Sequence, residues 1–157
     1  MIEIPLTKGK VALIDDADFP LVAGRRWFAH LNNHTYYAIA NDRIGGKRVK
    51  ISMHRVILSA NPGQFVDHAD GNGINNTRTN LRICTLQQNC ANRRHRSDSK
   101  MPYKGIGKPR ANSKWRASIR IDGKSKHLGT FESPEDAARA YDAAAREYFG
   151  QFAMTNF

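Results

Sequence analysis

Thiols are scarce in this chain, which holds Cys84 and Cys90 and no others among 157 residues. They stand six apart, with no second cysteine pair and no His-x-x-x-His nearby. That excludes a disulfide framework and a structural zinc knuckle, so both read as reduced core thiols. Acidic residues are also few, 14 against 25 Lys and Arg, for a net charge of +11 and a pI of about 10.1. Long hydrophobic runs are missing, and none approaches the roughly 20 residues that a membrane span needs. The start, Met1-Ile2-Glu3-Ile4-Pro5, lacks a basic stretch followed by an apolar one, so a cytoplasmic location is expected.

What is present is cationic charge in blocks. Lys104 to Lys126 carries eight basic residues against Asp122 alone, and Arg78 to Lys100 carries six against one. An excess of this kind favours a polyanionic partner, because neutralising phosphates releases condensed counterions. Nucleic acid is the first candidate.

The chain is long enough for two small modules, and the expected class is α+β. Short β-like runs at 10–14, 36–40 and 48–52 are separated by Asp15-Asp16, Asn32-Asn33 and Gly45-Gly46, which predicts a small N-terminal antiparallel sheet. Trp27, Phe28 and Tyr37 are the aromatic residues expected to fill its core. His54 to Leu58 reads as a short helix ended by Asn61-Pro62-Gly63, followed by a brief strand over 65–68 and a polar loop to Thr79. Thr85-Leu86-Gln87-Gln88 has the capping-box pattern, which opens a second short helix and places Asn89 in its second turn.

Residues 96–102 read as a basic linker. Beyond it, Trp115, Ala117, Ile119 and Ile121 alternate with Lys114, Arg116, Ser118 and Arg120, and Asp122-Gly123 is the favoured pair for a type I′ hairpin. A two-residue loop sets Arg120 against Ser125, Ser118 against His127 and Ala117 against Leu128. One face of this hairpin is therefore polar and cationic. Lys126 falls on the other, apolar face and has to snorkel past the edge of the helix that covers it. Ser133-Pro134-Glu135-Asp136 supplies an N-cap, a proline at N1 and acidic residues on the positive helix end, and Gly150 stops the helix.

The stretch from Val66 to Asn89 carries the chemistry. Cutting a DNA phosphodiester needs a base to take a proton from water and a cation to neutralise charge on the phosphate and the leaving 3′ oxygen. A histidine that is neutral near physiological pH suits the first role, and hard oxygen ligands for Mg²⁺ suit the second. On this reading His68 is the general base, and Asp67 with the side-chain oxygen of Asn89 binds Mg²⁺ or Mn²⁺. Asn80 braces the loop or orients His68. Arg82, Arg93 and Arg94 are candidate phosphate contacts. His54 precedes the motif and reads as structural.

His54-Arg55, Val66-Asp67-His68, Asp70-Gly71-Asn72, Asn76, Asn80-Leu81-Arg82 and Gln88-Asn89 resemble the phage and intron-encoded HNH homing-endonuclease family over about residues 50–95. The resemblance implies a ββα-metal nicking site built from Asp67, His68, Asn80 and Asn89, in a phage-encoded protein of a bacterial host. The last position of the motif is asparagine instead of histidine, which favours Mg²⁺ or Mn²⁺ over softer metals.

The blocks Tyr103-Lys104-Gly105-Ile106, Lys114 to Arg120, His127 to Phe131, Ala137 to Asp142 and Asn156-Phe157 are similar to the plant ethylene-response-factor (Apetala-two) DNA-binding domain. That implies a three-stranded sheet laid in the major groove and backed by one helix. It also implies Lys104, Trp115, Arg116 and Arg120 at or beside DNA-contacting positions, with Arg110 in the same basic run. His127 stands where the plant domains commonly place a contacting tryptophan, and Gly107 where they commonly have arginine, so their GC-rich target does not carry over.

The organisation expected is a nuclease region over 1–95, with its core at 50–95, a linker at 96–102 and a DNA-reading module over 103–157. The activity implied is hydrolysis of double-stranded DNA, by nicking or by double-strand cutting, and the sequence leaves the oligomeric state open between a monomer and a weak dimer. A catalytically silent DNA-binding regulator is the rival reading, and an RNA-binding or virion protein would use the same basic surface.

Overall fold

The computed structural model describes residues 1–32, 34–95, 99–107 and 114–157. It divides into two compact units, Met1–Thr85 and Leu86–Phe157. The division falls ten residues ahead of the linker expected from composition, of which residues 96–98 lie outside the described part.

In the first unit β1 (Ile2–Pro5) pairs antiparallel with β2 (Val11–Ile14). A 3₁₀ turn at Asp16–Asp18 and a one-turn helix, α1 (Phe19–Val22), lead into β3 (Trp27–Asn32), β4 (Thr35–Ile44) and β5 (Lys47–Ser52), a three-stranded antiparallel meander. The β4–β5 turn is Gly45-Gly46, both at positive φ, as a two-residue hairpin loop requires. Then come α2 (Met53–Ile57), β6 (Phe65–His68) and β7 (Leu81–Cys84), the last two forming an antiparallel pair. The core is small-residue and aliphatic: Ala12, Ile14, Val22, Met53 and Ile57 lie around Trp27, whose indole N–H donates to the Val22 carbonyl at 2.9 Å. Phe28 and Tyr37 are only partly buried, and of the two thiols expected in a core Cys84 is buried whereas Cys90 is exposed.

The second unit opens with α3 (Leu86–Ala91), with Thr85 immediately before it as the capping-box pattern requires. β8 (Ile106–Gly107), β9 (Trp115–Ile121) and β10 (Lys124–Phe131) form a sheet in the order β10-β9-β8, and α4 (Pro134–Phe149) packs on one side of it. Asp122 and Gly123 adopt φ of 48° and 75°, the type I′ geometry. Arg120 pairs with Ser125 and Ser118 with His127, as expected, but Ala117 meets Gly129, and Leu128 is taken up in a bulge. The reason is Phe131: its ring would lie 3.0 Å from a Cβ on Gly129, so the strand shifts where a residue without one allows the ring to close in.

Ser133 caps α4 by accepting from the Asp136 N–H at 3.1 Å, and Gly150 ends it at φ 51°. Ala137, Ala138, Tyr141, Ala144 and Ala145 are buried along one side. Lys126 snorkels: its ammonium donates to the Tyr148 hydroxyl and stands 4.9 Å from the ring centroid, and Tyr148 is correspondingly exposed.

Candidate active site and nucleic-acid face

The loop after β6 is built on asparagine. The Asn80 side chain accepts from the Asp70 N–H at 3.0 Å and donates to Asp70 Oδ1 at 2.9 Å and to the Asn75 carbonyl at 2.8 Å. Asn75 in turn donates to Asp70 Oδ2 at 2.8 Å, and the Asn72 N–H donates to Asp70 Oδ1 at 2.7 Å. Burial works against the Asp70 charge, but these three donors outweigh it and hold the carboxyl below its usual value. The loop is also pinned to β2, where the Leu13 N–H donates to the Ile74 carbonyl and the Leu13 carbonyl accepts from the Asn76 N–H.

His68 ends β6 and is 6% exposed. Its Nε2 lies 3.2 Å from Oδ1 of Asn76, an amide that is itself fully buried and that donates to Met53 Sδ and the Ile74 carbonyl. With the amide nitrogen so engaged, its oxygen faces the ring, an arrangement that favours the tautomer with the proton on Nε2. Burial lowers the His68 pKa, against the opposing pull of Asn76, Asp70 and Asp67, so the imidazole is neutral near pH 7. His54 and Tyr37 enclose it, with ring centroids at 5.0 and 5.8 Å in edge-to-face arrangement. Gly73 lets the loop approach Tyr37, since a Cβ there would meet the Tyr36 carbonyl at 2.5 Å.

Asp67 is buried beside His68 and forms an ion pair with Arg82, its cross-strand neighbour. Arg82, expected to reach phosphate, is thus engaged with the carboxylate next to the histidine. Asn89 lies on α3, in the second unit. Among the described residues no group of three or more His, Cys, Asp or Glu side chains could hold a metal ion. The donors assigned from sequence, the Asp67 carboxylate and the Asn89 amide oxygen, are hard oxygen ligands of the kind a divalent cation takes.

Two residues that shape the site were not assigned to it from the sequence. Asn76 stood in the quoted motif, but only the fold shows it touching His68. Tyr37 was expected in the core of the N-terminal sheet, and its ring stands against His54 and His68 instead.

In the second unit the outer face of the sheet presents Arg116, Ser118 and Arg120 on β9, opposite Thr130, His127 and Ser125 on β10. Arg116, Arg120 and His127 are exposed, with Arg120 Nε donating to the Gly123 carbonyl at 3.1 Å. Trp115 instead lies half-buried on the side facing α4, packed with Ile106, Ala117, Ala137 and Ala138, so it is a core residue of this module. Lys104 also departs from expectation. Its ammonium donates to the carbonyls of Ala91, Arg93 and Met154, and burial lowers its pKa to about 8. Arg93 and Arg94 are exposed, and Arg110 lies outside the described residues.

No family profile matches the chain. It is 30% identical over 151 residues to an uncharacterized HNH endonuclease of Acanthamoeba polyphaga mimivirus, covering 95% of this chain and 76% of that relative. The chain belongs to the HNH endonuclease family. Part of this HNH-family protein is also 47% identical over 57 residues to an ethylene-responsive transcription factor of Arabidopsis thaliana; it spans only 13% of that factor's length. Among solved structures, the HNH homing endonuclease I-HmuI is similar, with 25% identity, a TM-score of 0.35 and coverage of 73% of this chain and 70% of that one.

Proposed function

We propose that this HNH-family protein is a metal-dependent, homing-type DNA endonuclease acting in the cytoplasm of a bacterial host. Its C-terminal sheet binds double-stranded DNA and places the cutting site on it. One observation carries the reading: a neutral, buried imidazole, His68, held at Nε2 by Asn76 and standing next to the buried carboxylate of Asp67.

His68 Nδ1 then carries the lone pair. It takes a proton from water as the water oxygen bonds to phosphorus and the bond from phosphorus to the 3′ oxygen breaks. Placing a base this way contributes roughly 10²- to 10⁴-fold in rate. Asp67 and Asn89 would hold Mg²⁺ or Mn²⁺, which when bound neutralises charge on the phosphate and leaving oxygen. Asn80 keeps the loop closed around Asp70, so the strand end carrying His68 is fixed. Arg116, Arg120 and His127 form the DNA face, each arginine able to meet a phosphate or a guanine edge. Arg93 and Arg94 add phosphate contacts.

The rival reading, a silent DNA-binding regulator, draws on the Arg82–Asp67 ion pair, which already neutralises the carboxylate assigned to the metal. Incubation of supercoiled plasmid with the protein and Mg²⁺ or Mn²⁺, with and without chelator, separates the two. Chelator-sensitive nicking supports the nuclease, and intact plasmid under every divalent metal supports the regulator.

A further inference from the structure

Helix α3, which carries Asn89, is anchored in the same unit as the sheet that reads as the DNA face. Its last residue, Ala91, is buried, and the Ala91 carbonyl accepts from the Met154 N–H at 3.4 Å. At its start, Gln87 Oε1 accepts at 2.8 Å from the N–H of Asp122, in the hairpin turn. A helix of six residues satisfies few of its own carbonyls and is unstable alone, so outside bonds decide whether it is held.

The strongest of these comes from Lys104. Its Nζ donates to the carbonyls of Ala91 at 2.5 Å and Arg93 at 2.8 Å, both at the end of α3, and to Met154 at 3.4 Å. The Lys104 backbone is fixed as well: its N–H donates to Asn156 Oδ1 at 2.7 Å and its carbonyl accepts from Asn156 Nδ2 at 3.2 Å. Asn156 is bonded to the carboxylate of Asp142, which is 1% exposed on α4. A continuous run of hydrogen bonds thus links the core of the sheet module to the end of α3.

We propose that Lys104 is a positioning residue for Asn89, fixing α3 through the Ala91 and Arg93 carbonyls within the second unit. This rests on the assignment of Asn89 to the metal given above. A lysine facing a phosphate would act otherwise: removing it would weaken DNA binding and reduce its salt dependence.

The test uses the full chain as Lys104→Met, which keeps the aliphatic stem, and as Lys104→Arg, which restores donors. In metal-free protein, Lys104→Met should speed hydrogen exchange at the Cys90, Ala91 and Asn92 amides by about tenfold or more, with the β9 and β10 amides unchanged. The Mg²⁺ concentration for half-maximal nicking should rise by about 10- to 100-fold, as for loss of a residue supporting a metal ligand. DNA affinity should stay within about twofold, and Lys104→Arg should recover both properties.

Unchanged exchange in α3, or a loss of DNA affinity with a shallower salt slope, overturns the proposal. So does faster α3 exchange with an unaltered Mg²⁺ requirement, because the helix would then be held without consequence for the ion. If wild type shows no nicking, the metal assignment of Asn89 falls, while the exchange result still decides whether Lys104 holds the helix.

Discussion

Nε2 of His68 lies 3.2 Å from Oδ1 of Asn76, with both side chains buried, and that contact favours the tautomer that carries its proton on Nε2. Nitrogen-15 NMR of the metal-free protein should show His68 as the Nε2–H tautomer. Asn76→Ala should mix the tautomers, slow nicking by about 10- to 100-fold and cost about 1–3 kcal/mol of stability. A wild-type Nδ1–H tautomer would show that the amide does not orient the ring.

His54 gives an acid-sensitivity prediction. Burial, with the neighbouring His68 and Arg55 adding to it, lowers its pKa from 6.5 to about 3, and among the described residues its buried Nδ1 has no hydrogen-bond partner. The unfolded chain therefore takes up the proton first as pH falls. The stability this histidine contributes is whole above about pH 6.5 and is lost progressively as pH falls toward its folded value of about 3. His54→Phe should flatten the pH dependence of the urea midpoint between pH 6 and pH 4, and an unaltered slope would contradict the assignment.

The Arg82–Asp67 pair predicts a strong coupling, because both partners are largely withdrawn from water. Arg82→Met should destabilise by about 3–5 kcal/mol, since it removes the cationic partner of a buried carboxylate. Asp67→Asn in the same chain should relieve much of that loss. A double-mutant cycle by urea unfolding measures it, and additive effects would mean the pair contributes no coupling.

Much of the chain was legible where the signals were local. The Asp122-Gly123 turn, the Ser133 cap, the Gly150 stop and strands β2, β4 and β5 all follow from residues within a few positions of one another. β1 and β3 were not read, because Ile2–Pro5 is only four residues long and ends in proline, and Trp27–Asn32 mixes its apolar residues without strict alternation. The bulge at Leu128 depends on the Phe131 ring seeking the bare face of Gly129. Asp67, His68, Asn80 and Asn89 could be named from spacing, whereas Asn76 acquires its role from α2 and β6 meeting in space. Asp18 likewise takes its partner, Arg78, from 60 residues away.

Gly105 should not tolerate a side chain. It sits at φ 78°, and a Cβ would come within 1.9 Å of Cδ2 of Tyr141. Gly105→Ala should cost about 2 kcal/mol or more from strain and overpacking together. Gly123→Ala, at φ 75° but with open space around it, should cost only about 1 kcal/mol. Thermal unfolding of the two variants checks the order, and equal losses would argue against the Tyr141 contact.

The two faces of the C-terminal sheet should separate cleanly in DNA binding. Arg116→Ala and Arg120→Ala should each lower the slope of log affinity against log salt by about one. Trp115→Ala should leave that slope unchanged while lowering stability by about 3 kcal/mol. A Trp115 variant that folds normally yet loses the salt dependence would place DNA on the helix-covered side.

The most direct test of the account is a comparison of wild type with His68→Ala on supercoiled plasmid in Mg²⁺, with DNA binding measured in parallel by gel shift. Wild type should nick the plasmid, and the variant should lose nicking by at least about 10²-fold with DNA affinity unchanged within about twofold. Nicking by His68→Ala at the wild-type rate would contradict it.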